Sequence, residues 1–290
     1  MLCFERERYL DVGQCLCMVC TRQHIFIGQD KALACFNHQT LVYQSPAAPD
    51  VRAMVVGDTK DSLICGDAQG SIFDVVSDTG SVRAFLRREQ NGAPITALAF
   101  QRHDSRVIAG DRFGNIFEFQ RPYDQLAGSF CPDQKLPAGE LNHPITSLVF
   151  GPDCRYWAAG KSVGRYGVAT DYTRKMKENV PSIGYSMNFP CIVIPEGDKI
   201  GMYPTLEVGC LRFWKLKVAV TAIDIHANGK ILAVGNFVGG VELWDMETGK
   251  SLQNLGARFS TPVEHLRFDR GGTVLVSVHE PGHVTVWKLR

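Results

Sequence analysis

The chain has 290 residues, 45% of them hydrophobic and 21% charged, with a formal net charge of +1. That composition belongs to a globular protein long enough to bury a core without disulfides or structural metals, and the near-zero charge excludes a global field that would draw it to nucleic acid or membrane. No run approaches the ~18 apolar residues of a membrane-spanning helix, and Met1–Leu10 carries Glu5, Arg6, Glu7 and Arg8 where a secretory leader would be apolar.

In chain order, residues 2–12 read as a strand ahead of the first repeat. At 13–43 the segment QCLCM stands before GQDKALACF, which begins at Gly28. At 51–88 the run VRAMVV precedes Gly66–Val75, GDAQGSIFDV, and at 95–130 ITALAF precedes Gly110–Phe119, GDRFGNIFEF. At 145–180 ITSLVF precedes Gly160–Ala169, GKSVGRYGVA. At 189–217 FPCIVI, taken as an inner strand, precedes Thr205–Trp214, TLEVGCLRFW. At 220–256 VTAIDI precedes Gly235–Trp244, GNFVGGVELW, and at 263–290 VEHLRF precedes Val278–Trp287, VHEPGHVTVW. In five of the copies the apolar run starts fifteen residues before the glycine-centred window. Chance does not hold such an offset.

Each copy carries the same physics. A short apolar, β-branched run suits a strand buried on both faces. A polar break follows, with Asn228-Gly229 as a hairpin signal. A second apolar run ends at a glycine turn, and a third (NIFEF, GVELW) alternates as a half-buried strand does. A weaker fourth segment leads onward. Four antiparallel strands recurring every ~30–50 residues make a propeller blade, and such blades bury their faces only by stacking on neighbours. The expected fold is therefore all-β: one seven-bladed β-propeller over 1–290, its last blade completed by strand 2–12. These windows resemble WD repeats, although only Trp244-Asp245 keeps the tryptophan-aspartate pair; Trp214-Lys215 and Trp287-Lys288 keep the tryptophan, and Phe119-Gln120 stands at another.

Candidate chemistry is sparse. Cys15, Cys17 and Cys20 have the close spacing of zinc thiolates, with His24, Cys35 or His38 available as a fourth ligand. They also fill an inner-strand slot where small apolar side chains pack, and the ten cysteines follow no framework spacing. Core packing in a reduced intracellular protein of the nucleus or cytoplasm is the reading adopted. No HExxH, GxSxG, GxGxxG or GxxxxGK[ST] pattern occurs. The chain is thus read as no enzyme, with no cofactor, no metal, no small-molecule substrate and no membrane.

One local charge cluster stands out: Lys161, Arg165, Arg174, Lys175 and Lys177 surround a single Asp171, with Tyr166 and Tyr172 interleaved. A solvated blade edge is one reading; a docking surface for an acidic partner or phosphates is the other. Arg102, His103, Asp104, Arg106 and Arg112 form a second, mixed turn. Rim loops are where a propeller binds, and Lys161, Arg165, Arg174, Lys175, Lys177 and Arg112 are the candidate partner-binding residues.

Within the WD-repeat proteins, Ile95–Phe119 resembles the non-catalytic WD-repeat subunit of the tRNA (guanine-N7)-methyltransferase complex, notably at Ala109–Phe117. The resemblance extends through Asn142-His143 and ITSLVFGPD to Gly160–Arg165. It implies a scaffold that stabilises a separate methyltransferase, with RNA reached through that partner. The family's acidic-basic-acidic docking cluster is reduced here to Lys161, between Gly160 and Ser162. A scaffold of another assembly (a ubiquitin-ligase receptor, a ribosome-assembly particle, a cytoskeletal complex) and a direct RNA-binding propeller are the alternatives.

Overall fold

The computed structural model describes residues 3–37, 40–46, 48, 50–57, 59, 62–87, 92–101, 105–120, 134–135, 143–152, 154–167, 172–256 and 259–290. All their regular elements are β-strands, arranged as seven four-stranded antiparallel sheets, the blades of a seven-bladed β-propeller. Among the described residues no helix is long and apolar enough to cross a membrane.

Strand β1 (Phe4–Asp11) precedes the first blade. Blade one is β2 (Cys17–Cys20), β3 (Ile25–Gly28), β4 (Leu33–Phe36) and β5 (Leu41–Ser45); blade two is β6 (Val51–Val56), β7 (Ser62–Asp67), β8 (Ile72–Val76) and β9 (Val82–Arg87). Blade three is β10 (Ile95–Gln101), β11 (Arg106–Asp111), β12 (Ile116–Gln120) and β13 (Gln134–Lys135). Blade four is β14 (Ile145–Phe150), β15 (Cys154–Ala159), β16 (Ser162–Gly167) and β17 (Tyr172–Lys175). Blade five is β18 (Gly184–Ser186), β19 (Cys191–Glu196), β20 (Lys199–Tyr203) and β21 (Arg212–Lys215). Blade six is β22 (Val220–Ile225), β23 (Ile231–Asn236), β24 (Val241–Asp245) and β25 (Ser251–Gly256). Blade seven is β26 (Val263–Phe268), β27 (Val274–His279) and β28 (His283–Leu289), with β1 hydrogen-bonded to β28 as its outer strand.

The chain divides into two compact units. One comprises Leu16–Val19 and His24–Phe150. Its core gathers Phe26, Leu33, Val51, Leu63 and Phe73 in one cluster and Ile64, Ile72, Ile95, Val107 and Phe119 in a second. Each such fully buried side chain contributes about 1.5–3 kcal/mol of transfer free energy. The first glycine of the repeat window is a packing requirement of the blade junction. A Cβ at Gly66 would sit 2.5 Å from Ile95, and one at Gly110 2.5 Å from Ile145, so only glycine admits the next blade's inner strand. At the second of these junctions the Thr96 hydroxyl, lifted out by a bulge in β10, donates to the Ile145 carbonyl at 2.7 Å. The acidic residue after that glycine closes the turn. Asp111 Oδ1 accepts the N–H groups of Phe113 and Asn115, both at 2.9 Å, and Gly114 completes the turn at φ +86°.

The other unit comprises Met1–Cys15, Cys20–Gln23 and Gly151–Arg290. Phe4, Leu243, Leu266, Leu275 and Trp287 form a buried cluster in it. Blade six repeats the same devices: Gly235 admits Val263, and Asn236 Oδ1 caps the turn through Val238 and Gly240 N–H. Asp224 Oδ2 accepts the Phe268 N–H at 2.6 Å and His226 Nε2 meets the Gly272 carbonyl at 2.9 Å, stitching blade six to blade seven. Burial holds the Asp224 carboxyl above the usual range, against the lowering pull of Arg267 and that N–H. The Asn228-Gly229 turn forms as expected, with Gly229 at φ +63°. So does the completion of blade seven: Phe4 pairs with Leu289 and Asp11 with His283, across one bulge between Arg6 and Arg8.

Three strand assignments differ from expectation. In blade five the run FPCIVI is not the inner strand: β18 precedes it at Gly184–Ser186, and Cys191–Ile194 belong to the second strand. The segment LRFW is accordingly the outer strand rather than the third. A three-residue inner strand with one aromatic leaves little apolar signal, whereas the second strand is buried on both faces and dominates the pattern. In blade four Gly164 is not a turn glycine. Lys161 stands where blades two, three and six have Asp67, Asp111 and Asn236 to cap a longer loop, and β15 and β16 join through the two residues Gly160-Lys161, with Gly160 at φ +52°. Gly164 then falls within β16, paired with Trp157, whose indole occupies the space a Cβ would need. In blade three the outer strand lies at Gln134–Lys135, beyond the expected end at 130.

Candidate functional site

The basic cluster lies on blade four and the connection that follows it. Strand β17 alternates half-buried and exposed residues, so Tyr172 and Arg174 point inward while Thr173 and Lys175 point out. Arg174 reaches blade five. Its Nη1 donates to the carbonyls of Leu206 at 3.2 Å and Val208 at 3.4 Å, and its guanidinium lies 4.8 Å from the centre of the Tyr203 ring. Arg165, on the neighbouring β16, donates from Nε to Glu207 Oε1 at 2.6 Å. Burial raises the Glu207 carboxyl, but hydrogen bonds from backbone, Arg165 and Thr205 outweigh it and hold the pKa below the ordinary value. Two of the predicted docking cations are therefore engaged within the unit. They clamp the β20–β21 loop onto blade four.

The lysines differ. Lys175 Nζ donates to the buried Ser162 hydroxyl at 3.0 Å but remains exposed, and Lys161 and Lys177 are exposed with no ion pair among the described residues. Tyr166 is buried in the blade. Asp171, the single acid expected within the cluster, lies outside the described residues, as do His38, Arg102, His103, Asp104 and Asn142. Arg112 belongs to the other unit, in the turn between β11 and β12 beside the exposed Phe113. Arg106 forms an ion pair with Glu118 at 2.8 Å on that blade.

The clamped loop leads to a feature that charge counting passed over. Val208, Leu211 and Phe213 are 52%, 66% and 67% exposed, and Leu211 and Phe213 alternate along the outer edge of blade five. Lys215 shares their face two residues on, while Trp214 turns inward. The alternation in CLRFWK is the sequence signal for it, but only the pairing of β21 as an edge strand shows which half of the alternation faces water.

The cysteine triplet is divided among separate contacts. Cys15, Cys17 and Cys20 are all buried and reduced; the Cys17 thiol meets the Val51 carbonyl and the Cys20 thiol the Arg267 carbonyl, each at 3.5 Å. Burial, then Asp224 and Asp269, pushes the Cys20 thiol well above its usual pKa, which disfavours the thiolate a metal would need. Among the described residues no three His, Cys, Asp or Glu side chains are grouped as metal ligands. The pair Ser277 Oγ···His279 Nε2, at 2.9 Å, is buried in blade seven, where each satisfies the other's polar group.

Comparison with known protein families and with curated proteins finds no match to the chain.

Proposed function

We propose that this chain is a non-catalytic protein-interaction scaffold of the WD-repeat type. The observation that carries the reading is the apolar outer edge of blade five, where Phe213 of β21, with Val208 and Leu211 of the loop before it, stands in water beside the sheet's edge strand. An apolar edge of this kind is a liability in a free monomer and a partner site in an assembly. Arg212 and Lys215 flank it, so the matching surface on the partner is apolar with acidic groups at its margin. The Arg165–Glu207 and Arg174 contacts support the same reading, because they hold the loop bearing Val208 in place before any partner arrives.

The finer reading is that the partner is the catalytic subunit of a tRNA (guanine-N7)-methyltransferase, which this chain stabilises. Its support is the resemblance over Ile95–Phe119 and through Gly160–Arg165. Deleting the protein then removes 7-methylguanosine from tRNA, and Leu211→Asp with Phe213→Asp strips the methyltransferase from affinity-purified complexes. Unchanged tRNA methylation in a clean deletion would overturn the finer reading. Purification that recovers a ubiquitin ligase, a ribosome-assembly particle or a cytoskeletal complex would reassign the scaffold.

A further inference from the structure

The exposed lysines of blade four and of the connection after it are part of a longer array. The hairpin Gly160-Lys161, the connection after β17, the hairpin Gly197-Asp198 between β19 and β20, and the connection after β21 are stitched together at one end of blades four and five. Met176 N–H donates to the Lys161 carbonyl at 2.8 Å and Val180 N–H to Gly160 at 2.9 Å. The Lys177 and Glu178 N–H groups donate to Glu196 Oε1. Leu216 N–H donates to Asp198 at 2.7 Å and Val220 N–H to Gly197 at 2.8 Å. The result is a hydrogen-bonded ledge with its backbone fixed.

That ledge carries Lys161, Lys175, Lys177, Lys199, Lys215 and Lys217, all exposed, against Glu178, Glu196 and Asp198. In a chain whose net charge is only +1, this is a marked local excess. The acids are also partly engaged: Glu196 by the two backbone N–H groups, and Asp198 by Lys215 at 3.8 Å. Lys199 and Lys215 stand directly opposite one another across β20 and β21. Two lysines opposite one another on neighbouring strands repel, and Asp198 beside Lys215 offsets that repulsion only in part.

We infer that this ledge binds the phosphodiester backbone of a nucleic acid. Lysine ammonium groups act as point charges on phosphate, and a row of them on a rigid edge tracks a chain of phosphates without reading bases. A docked acidic protein requires an apolar interface centre as well, and a membrane surface requires an inserting apolar side chain. Among the described residues no large hydrophobic side chain of the four ledge segments is exposed; Phe237 and Val238, 60% and 47% exposed, adjoin one end through the Phe237 N–H bond to the Ala219 carbonyl, where an aromatic ring beside a lysine row offers a base a stacking face. Lys215 borders both surfaces, but Lys161, Lys177, Lys199 and Lys217 lie outside the apolar edge, so either reading can fail without the other.

The test is fluorescence anisotropy of the full chain with a labelled 20-nucleotide single-stranded RNA and the matching DNA, from 50 to 200 mM salt. If Lys161, Lys177, Lys199 and Lys217 each neutralise one phosphate, affinity falls roughly 50-fold over that range, a log–log slope of about −2.8. Replacing those four by alanine weakens binding at least tenfold at low salt and flattens the slope. Lys230→Ala with Lys250→Ala, at the other end of blade six, changes neither. Equal affinity for RNA and DNA supports backbone binding alone, and preference for RNA adds 2′-hydroxyl contacts. No binding at 50 mM salt, an unchanged slope in the fourfold variant, or tighter binding of polyglutamate or of phosphatidylserine vesicles would overturn the inference. Unchanged melting temperatures of the variants establish that a loss is not unfolding.

Discussion

Arg165 and Glu207, 42 residues apart in the chain, meet through a 2.6 Å hydrogen bond and ion pair that fixes the β20–β21 loop against blade four. A cation that looks available in the sequence is thereby a positioning group for an apolar edge. Both side chains keep some solvent, 22% and 34%, so the pair is worth about 0.2–1 kcal/mol. A double-mutant cycle of Arg165→Ala and Glu207→Ala under urea denaturation measures that coupling, and 1 M salt reduces it.

Strand β1 depends on one side chain more than any other. Phe4 is 1% exposed and packs against Phe268 with ring centres 5.9 Å apart, while Gln253 exchanges hydrogen bonds with its backbone. Phe4→Ala should cost about 3–5 kcal/mol of unfolding free energy. Hydrogen exchange should localise the loss to β1 and β28, whereas Glu5→Ala, at a half-exposed position, should stay within about 0.5 kcal/mol.

The repeat glycines separate into two kinds, and substitution distinguishes them. At Gly110 the obstacle is the Ile145 side chain, so Gly110→Ala overpacks the junction and costs about 1–3 kcal/mol. Adding Ile145→Val should not recover that loss, because valine keeps the Cβ and both γ carbons that the new methyl group meets. At Gly114 the obstacle is the backbone itself, at φ +86°. Gly114→Asn should be milder there than Gly114→Val, because asparagine tolerates the left-handed region.

Cysteine reactivity should follow burial rather than sequence spacing. Cys3 and Cys210 are exposed; the seven other described cysteines are buried, with the Cys191 thiol pushed up to about 11 and the Cys35 thiol to about 12, chiefly by desolvation. Iodoacetamide at pH 7.5 should label Cys3 and Cys210 first, read by peptide mass spectrometry. Labelling of Cys15, Cys17 or Cys20 at comparable rates, or a fall in melting temperature on chelation, would contradict the core assignment.

Stability should fall on mild acidification through His279. Burial depresses its pKa below the ordinary ~6.5, so the folded state prefers the neutral ring. The contribution is complete above pH ~6.5 and is lost as pH falls toward the depressed folded value, where the unfolded chain takes up the proton first. His279→Gln should flatten the melting-temperature profile between roughly pH 5 and 7. An unchanged profile would assign the acid sensitivity elsewhere.

The sequence by itself determined the blades. An apolar run, a turn glycine and an alternating strand at constant offset are local instructions, set by the two-residue strand period and by turn sterics, and they read correctly in blades two, six and seven. Even the completion of blade seven by residues 4–11 was legible, since the last repeat supplies only three strands of its own. Where the local signal thins, at Gly184–Ser186, the pattern attached itself to the wrong strand. Only the tertiary structure decided what the charges do. Arg165 and Arg174 belong to a loop more than thirty residues away, and Lys161 joins Lys199 and Lys217 through hydrogen bonds between four separate segments. A charge takes its meaning from its neighbours, and in a propeller those neighbours come from the next blade rather than from the adjoining sequence.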